Sequence, residues 1–195
     1  MATTNIPGYT YGSADLKKSP VSLDDFAKLK QATLFGDDDV RYLKMSHDIL
    51  KDQTEQILDV WYGFVGSTPF LLHYFTNDGQ PNMDYLGAVR KRFGQWILDT
   101  ANANYDQNWL NYQYEIGLRH HSTKKNKTDN VKAVPIIHVH YIFALLIPIT
   151  TTLRPFLEKG GHSRDDVDRM QDAWRKSVLM QVILWSQPYI KEGEF

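Results

Sequence analysis

Two adjacent histidines, His120 and His121, end the aromatic-rich run YQYEIGLRHH and precede a basic loop. A neutral imidazole is a common metal ligand, so the first question is whether two histidines could share one ion. Successive helical residues diverge by about 100°, and neighbours such as His120 and His121 therefore cannot chelate one ion together. His138 and His140 diverge by about 200° and are excluded for the same reason. The sequence also lacks HExxH and ExxH pairs, which argues against zinc and di-iron sites.

A single axial ligand of a haem iron requires only one histidine beside a large apolar cavity. The spacing of the next residues predicts that they share the inner face of one helix: Trp109, Gln113, Ile116, Gly117 and His120. His121 points to the side and fits a helix-terminal histidine near the last carbonyls better than His120 does. Gly117, one turn before His120, would leave space for a flat cofactor. Spacing alone leaves both readings open for His120, an axial ligand or a helix-end residue.

The aromatic run VWYGFVG, residues 60–66, raises a related question about Trp61 and Tyr62. Side chains of this kind ordinarily belong to a core, although buried Tyr and Trp need hydrogen-bond partners for their polar atoms. Tyr62 could direct its hydroxyl toward a small ligand, and sequence alone leaves both possibilities open. Phe93 lies in an apolar helical stripe with Leu86, Val89 and Ile97, so it is assigned to the core by default.

The elements that would position these residues are all helical, because no sustained alternation of apolar and polar residues indicates strands. Ser22, Asp106 and Ser163 stand where N-caps are expected. We predict helices over residues 22–35, 37–65 (two in series), 83–100, 106–120 and 163–188. Another helix should begin near Pro135 and be kinked in its interior by Pro148.

Composition limits the class of protein. The chain has 195 residues, 42% of them apolar, a net charge of -1 and no cysteine. No global field favours nucleic acid, and disulfides, thiolate metal sites and Fe–S clusters are excluded. The longest apolar run, residues 141–149, is shorter than the roughly 20 residues of a membrane span. With no secretory signal pattern at the N-terminus, we expect a soluble cytoplasmic protein without nucleic acid or membrane partners.

Three strings carry a family resemblance: WYGFVGS, VRKRFGQWILDT and YDQNWLNYQYEIGLRHHSTKKNKTDN. They resemble the protoglobins, single-domain haem proteins related to the sensor domains of globin-coupled sensors, and the resemblance extends from IPGYTYG to the end of the chain. It implies an all-α globin fold in a single domain, residues 1–195. Within it we expect an N-terminal extension (1–20), an extra N-terminal helix (21–35) and a globin core (37–188). The implied cofactor is haem b, iron protoporphyrin IX.

The resemblance also implies which residues form the site. His120 matches the proximal histidine that binds the iron. The other residues expected to contact the cofactor or its ligand are Trp61, Tyr62, Arg92, Phe93, Ile116, Leu145 and Ile149. Among these, Tyr62 matches a distal tyrosine and Arg92 an arginine near a haem propionate. Leu145 departs from the family pattern, in which a phenylalanine stands there, so the distal wall is expected to be roomier.

The resemblance implies reversible binding of O₂, CO or NO at the haem iron. Two alternatives stay open: a haem enzyme acting on small nitrogen or oxygen species (NO dioxygenation, nitrite reduction or peroxidation), and a gas sensor signalling through a separate partner. A homodimer formed by the last two long helices would account for the surplus aromatics Trp174 and Trp185. In the basic loop, Lys124, Lys125 and Lys127 could neutralise haem propionates or could simply be solvated.

Overall fold

Helices dominate the computed structural model, which describes residues 6–195. In chain order they are α1 (Leu23–Ala32), α2 (Asp37–Leu50), α3 (Thr54–Gly66), α4 (Pro69–Leu72), α5 (Met83–Asn102), α6 (Gln107–His120), α7 (Val139–Ala144), α8 (Leu146–Glu158) and α9 (Arg164–Ser186). Two short 3₁₀ segments cover His73–Phe75 and Gln187–Tyr189. One small antiparallel hairpin pairs β1 (Thr76–Asn77) with β2 (Gln80–Pro81). The predicted all-α class is confirmed. The first residues of the expected N-terminal extension, 1–5, lie outside the described part.

Local capping sets several of the helix starts. The side chains of Ser22, Asp106 and Ser163 each accept a hydrogen bond from the backbone N–H three residues later, at 3.0, 2.8 and 3.1 Å. These bonds satisfy donors that the first helical turn leaves unpaired. The end of α1 lies at Ala32, earlier than predicted, because Leu34 adopts a left-handed conformation with φ of 53° that cannot continue a helix.

The α7–α8 pair departs from the prediction at two points. Its helix begins at Val139, and the predicted start near Pro135 is wrong because residues 131–138 are irregular. In place of the expected interior kink at Pro148, the helix is interrupted at Leu145, about one turn earlier, between α7 and α8. Pro148 lacks the N–H that the carbonyl of Ala144 would otherwise accept, so the helical ladder is broken there.

The last helix, α9, lies at the centre of the packing and contacts α2, α6, α7 and α8. Its inner stripe is almost completely buried: Val167, Met170, Trp174, Val178, Val182 and Trp185. Trp174 donates its indole N–H to Ser46 at 2.9 Å, and Trp185 donates to Gln113 at 2.8 Å. Because both indoles are buried inside this chain, the expectation that they reflect a dimer interface is wrong.

The segment Val139–Glu158, formed by α7 and α8, is long and apolar enough to cross a membrane by length and composition alone. Core helices of soluble proteins also meet this criterion. Here α8 packs against α2, α3 and α9. The predicted absence of a membrane span therefore stays a prediction.

Candidate cofactor site

A cavity of about 230 Å³ is enclosed mainly by α3, α5, α6, the α7–α8 pair and α9. Every residue that the sequence analysis assigned to the site lines this one cavity: Trp61, Tyr62, Arg92, Phe93, Ile116, His120, Leu145 and Ile149. These residues come from segments far apart in the chain. The fold therefore brings the whole predicted set together, while His121 lies outside the lining.

His120 ends α6 with its ring against the cavity. Its Nδ1 donates to the carbonyl of Ile116 at 2.8 Å, because a carbonyl can only accept. Burial lowers the pKa of His120 to about 4, which the bond to Ile116 partly opposes. The imidazole is therefore neutral at pH 7, and its Nε2 keeps a lone pair. Within residues 6–195 the side chain makes no other hydrogen bond, so Nε2 is available to a metal ion.

Trp185 supports the other side of the His120 ring. The two rings are stacked, with centroids 5.4 Å apart and planes inclined by 17°. The indole N–H of Trp185 donates to Gln113 on α6, which fixes the indole to the same helix that carries His120. Sequence reasoning related Trp185 to a dimer interface and missed this role, since the contact joins α6 to α9.

Gly117 has a different role from the one predicted. A Cβ at this position would lie 2.9 Å from the backbone oxygen of Trp185 and 3.1 Å from its Cα. The missing side chain therefore allows α6 and α9 to approach closely, and it does not make room for a flat cofactor. The prediction was wrong because glycine marks a close approach without saying which neighbour approaches.

His121 faces a separate environment. Its Nδ1 accepts from the Thr123 hydroxyl at 2.7 Å, and its ring meets Tyr189 edge-on with centroids 5.0 Å apart. The residue caps the C-terminus of α6. It therefore makes the helix-end interactions that the sequence favoured for it.

Apolar side chains form the wall made by α3, α5 and the α7–α8 pair. Trp61 packs against Phe93 at a ring distance of 5.6 Å, and Leu145 and Ile149 pack against the same cluster. Tyr62 lies among them, and burial raises the pKa of its hydroxyl, which therefore stays protonated. No residue of the described chain accepts a hydrogen bond from that hydroxyl, so it can donate to a ligand in the cavity.

The opposite end of the cavity is polar and cationic. Arg92, Arg119, Lys125 and Thr128 line it together with Asp129. Arg92 forms a two-pronged pair with Asp129, at 2.8 and 2.6 Å. Sequence reasoning assigned Arg92 to the site and left Lys125 open, as a partner of the propionates or as a solvated lysine. It missed Arg119, Thr128 and Asp129.

The N-terminal segment closes over this end. Arg92 donates to the Pro7 carbonyl at 2.9 Å, and Arg119 donates to the Gly8 carbonyl and to the Thr10 hydroxyl. Gly8 has a φ of 73°, and a Cβ there would lie 2.7 Å from Nη1 of Arg92. Glycine is required at this position on both grounds.

The three lysines of the basic loop lie in different environments. Lys124 pairs with the buried carboxylate of Glu115, at 2.6 and 2.8 Å. Lys125 is only 2% exposed and lines the cavity. Lys127 is exposed to solvent. The loop is thus neither uniformly solvated nor uniformly directed at the site.

Taken as a donor set, the cavity fits a haem. Apolar walls suit a macrocycle, a cationic end suits two carboxylates, and one neutral imidazole suits the axial position of iron. Among the described residues no group of three or more His, Cys, Asp or Glu could hold a metal ion by itself. A porphyrin, which supplies four ligands of its own, is consistent with a single histidine.

Comparison with known proteins gives the family. A model of the protoglobin family matches residues 22–195. The chain belongs to the protoglobin family. The resemblance inferred from the three sequence strings is confirmed. No curated protein sequence matches the chain significantly.

A solved structure supports the fold of this protoglobin. The globin domain of the Geobacter sulfurreducens globin-coupled sensor matches with a TM-score of 0.66 and 14% identity, covering 85% of this chain and 97% of that domain. At this identity the match concerns the fold alone, and it confirms the predicted globin fold. Family and fold together make this chain a globin-type haem protein that binds gas.

Proposed function

We propose that this protoglobin binds diatomic gases, O₂, CO or NO, reversibly at the iron of a haem b held by His120. The observation that carries the proposal is the neutral ring of His120, whose Nδ1 is engaged by Ile116 and whose Nε2 is free toward the cavity. When bound, haem would supply an iron that can take up a diatomic gas. His120 would hold this iron through Nε2, and its bond to Ile116 fixes the tautomer that ligation requires.

The distal residues act on a bound gas through exclusion and donation. Trp61, Phe93, Leu145 and Ile149 keep bulk water away from the ligand. The protonated Tyr62 hydroxyl would donate a hydrogen bond to a polarised ligand such as O₂, and would interact less with the weakly polarised CO. Both effects would slow the loss of the ligand from the cavity.

Reversible binding is favoured over peroxidase chemistry by the same wall. Among the described residues that line the cavity, the one histidine is His120 and the one carboxylate is Asp129, which is paired with Arg92. Neither is free to act as a distal general base. The proposal includes a cytoplasmic location, where a soluble gas-binding protein of this kind would act.

The test is an absorption spectrum of the purified ferrous protein with and without CO. The wild type should show a histidine-ligated haem that His120→Ala abolishes. His121→Ala is the matched control, because its ring lies one residue away and outside the cavity, and it should leave the spectrum unchanged. Loss of the spectrum in His121→Ala alone, or no haem uptake by the wild type, would contradict the proposal.

We further propose a homodimer through α7–α8 and α9. Phe143 and Ile147 lie one turn apart and are 40% and 63% exposed, and Leu179 on α9 is 36% exposed. The bonds from Gln171 to the Thr150 carbonyl and from Arg154 to Asp168 show that α8 and α9 run antiparallel. The α7 end of the pair therefore lies towards the C-terminal half of α9, which carries Leu179. An apolar face of two helices suits a second copy of the same face.

Sedimentation measures the dimer directly. The wild type should sediment as a dimer, and Ile147→Glu as a monomer. Met83→Glu places the same charge at an exposed apolar residue on α5 and should leave the dimer intact. A monomeric wild type at micromolar concentration would refute the dimer without affecting haem binding.

A further inference from the structure

Lys125 is a buried cation inside the cavity with few partners. Its Nζ donates to the Tyr74 carbonyl at 3.0 Å and lies 5.4 Å from the centre of the Tyr85 ring. An ammonium group carries three N–H donors, so two remain without a protein acceptor within residues 6–195. Burial lowers the pKa of Lys125 to about 8, an effect that the nearby Asp129 partly opposes. A charge held in this way favours an anionic ligand.

The two arginines at the same end are already engaged. Arg92 is paired with Asp129, whose side chain is only 11% exposed, and it also holds the Pro7 carbonyl. Arg119 is bonded to the buried Glu115 and to two groups of the N-terminal segment. Withdrawing either arginine would leave a buried carboxylate without its partner, which is strongly unfavourable. Lys125, by contrast, can bind a ligand and lose only its hydrogen bond to the Tyr74 carbonyl.

Thr128 adds a second, independent sign of a missing ligand. Its hydroxyl oxygen is buried, makes no hydrogen bond with the described residues, and belongs to a side chain that lines the cavity beside Lys125. Buried polar atoms almost always have partners. A carboxylate placed at this end would accept from both groups.

We propose that Lys125 and Thr128 form the subsite that receives a carboxylate of the cofactor, while Arg92 holds the surrounding loop through Asp129. The inference rests on the proposed haem binding and makes it more specific, since it distinguishes the cation that contacts the cofactor from the cation that supports the loop. It also gives the buried lysine a counter-charge that the apo-protein lacks.

The experiment compares haem with haem dimethyl ester, which has the same macrocycle but no free carboxylate. Apo-protein is loaded with either one, and the rate of loss to excess apomyoglobin is measured for wild type, Lys125→Met, Thr128→Val and Lys127→Met. The wild type should release the ester faster than haem. In Lys125→Met, the ratio of the release rate of the ester to that of haem should fall at least about tenfold, as expected when charge-assisted bonds are lost. Thr128→Val should lose a smaller part, and the exposed Lys127→Met none.

An unchanged preference for haem over its ester in Lys125→Met would overturn the subsite. The histidine-ligated spectrum, read in the same samples, reports separately on His120, so a failed subsite is distinguishable from a failed haem site. If Lys125→Met does not fold, the wild type loaded with zinc protoporphyrin decides. By NMR, the pKa of Lys125 should be higher with the diacid than with the diester, and equal values would again overturn the subsite.

Discussion

His120 is held from two sides by groups that belong to different helices. The Ile116 carbonyl fixes one edge of the ring, and the Trp185 indole covers one face at a centroid distance of 5.4 Å. Restricting the ring in this way reduces the conformational entropy that ligation of a metal would otherwise remove. At the scale of single residues, the site is therefore organised before any cofactor arrives.

Tyr62 gives a prediction for ligand release. Because its hydroxyl is protonated and makes no hydrogen bond within the described chain, Tyr62→Phe should remove one bond to bound O₂ and little else. A bond of about 0.5–1.5 kcal/mol corresponds to O₂ release that is roughly threefold to tenfold faster. Stopped-flow dissociation rates of O₂ and CO are the measurement. CO release should change less, and equal acceleration of both gases would contradict the role.

Gln113 gives a prediction for the support of His120. Gln113→Leu would leave the buried indole N–H of Trp185 without an acceptor. Such a donor costs about 1–3 kcal/mol, so the free energy of unfolding of the apo-protein should fall by that amount in urea. Gln107→Leu, at the half-exposed start of the same helix, is the control and should change stability by less than about 0.5 kcal/mol. Equal losses in both variants would show that the indole bond is unimportant.

At the scale of elements, the sequence predicts those features of a helix that depend on residues within about one turn. The starts of α1, α6 and α9 follow from caps at Ser22, Asp106 and Ser163, which act within one turn. The start of α7 could not be predicted, because an irregular segment contains Pro135 without beginning a helix there. The partner of Gly117 could not be predicted either, since Trp185 reaches it only through packing of α6 on α9.

Gly117 makes the closeness of α6 and α9 testable. In Gly117→Ala the new Cβ meets backbone atoms of Trp185 at 2.9 and 3.1 Å, so the helices must separate. We expect a loss of about 1–3 kcal/mol in the free energy of unfolding, as for overpacked cores. Because α6 carries His120, the iron–histidine stretching frequency should shift as well.

The control for this variant is Gly87→Ala, on α5. A Cβ there has no neighbour within 4 Å, so the substitution should leave stability unchanged or raise it by up to about 1 kcal/mol through helix propensity. Both variants are measured by urea denaturation. If Gly117→Ala is as stable as wild type and its iron–histidine stretching frequency is unshifted, the α6–α9 contact can accommodate a Cβ and the prediction is wrong.

At the scale of the whole molecule, helices from α3 to α9 line one cavity with an apolar wall and a cationic end. The N-terminal segment bonds to the arginines of that end. The resemblance located the apolar wall, because aromatic residues such as Trp61 and Phe93 are visible in sequence strings. It did not distinguish Lys125 from Lys124 and Lys127, because a lysine in a polar loop is ordinarily solvated and only tertiary packing makes this one buried. Burial of a charge is a property of the assembled fold.

That buried charge makes the stability of the apo-protein depend on pH. Burial lowers the pKa of Lys125 to about 8 in the folded chain, against 10.5 for a lysine in water. Between these values the unfolded chain binds more protons at this residue, so its destabilising effect is complete below pH 8 and disappears as the pH rises past 10.5. The effect amounts to at most about 3 kcal/mol.

Lys125→Met should therefore make the apo-protein more stable than wild type at pH 7, by up to about 3 kcal/mol, and the difference should vanish near pH 11. Urea denaturation at pH 7, 9 and 10.5 measures it, with the exposed Lys127→Met expected to match wild type throughout. Once haem is bound, a carboxylate beside Lys125 would raise the pKa of this lysine. The Lys125→Met protein would then no longer be more stable than wild type. A stability difference that is the same at every pH would mean that lost packing, and not buried charge, distinguishes the variant. The same lysine would thus weaken the empty fold and strengthen the loaded one, which couples the stability of this globin to its cofactor.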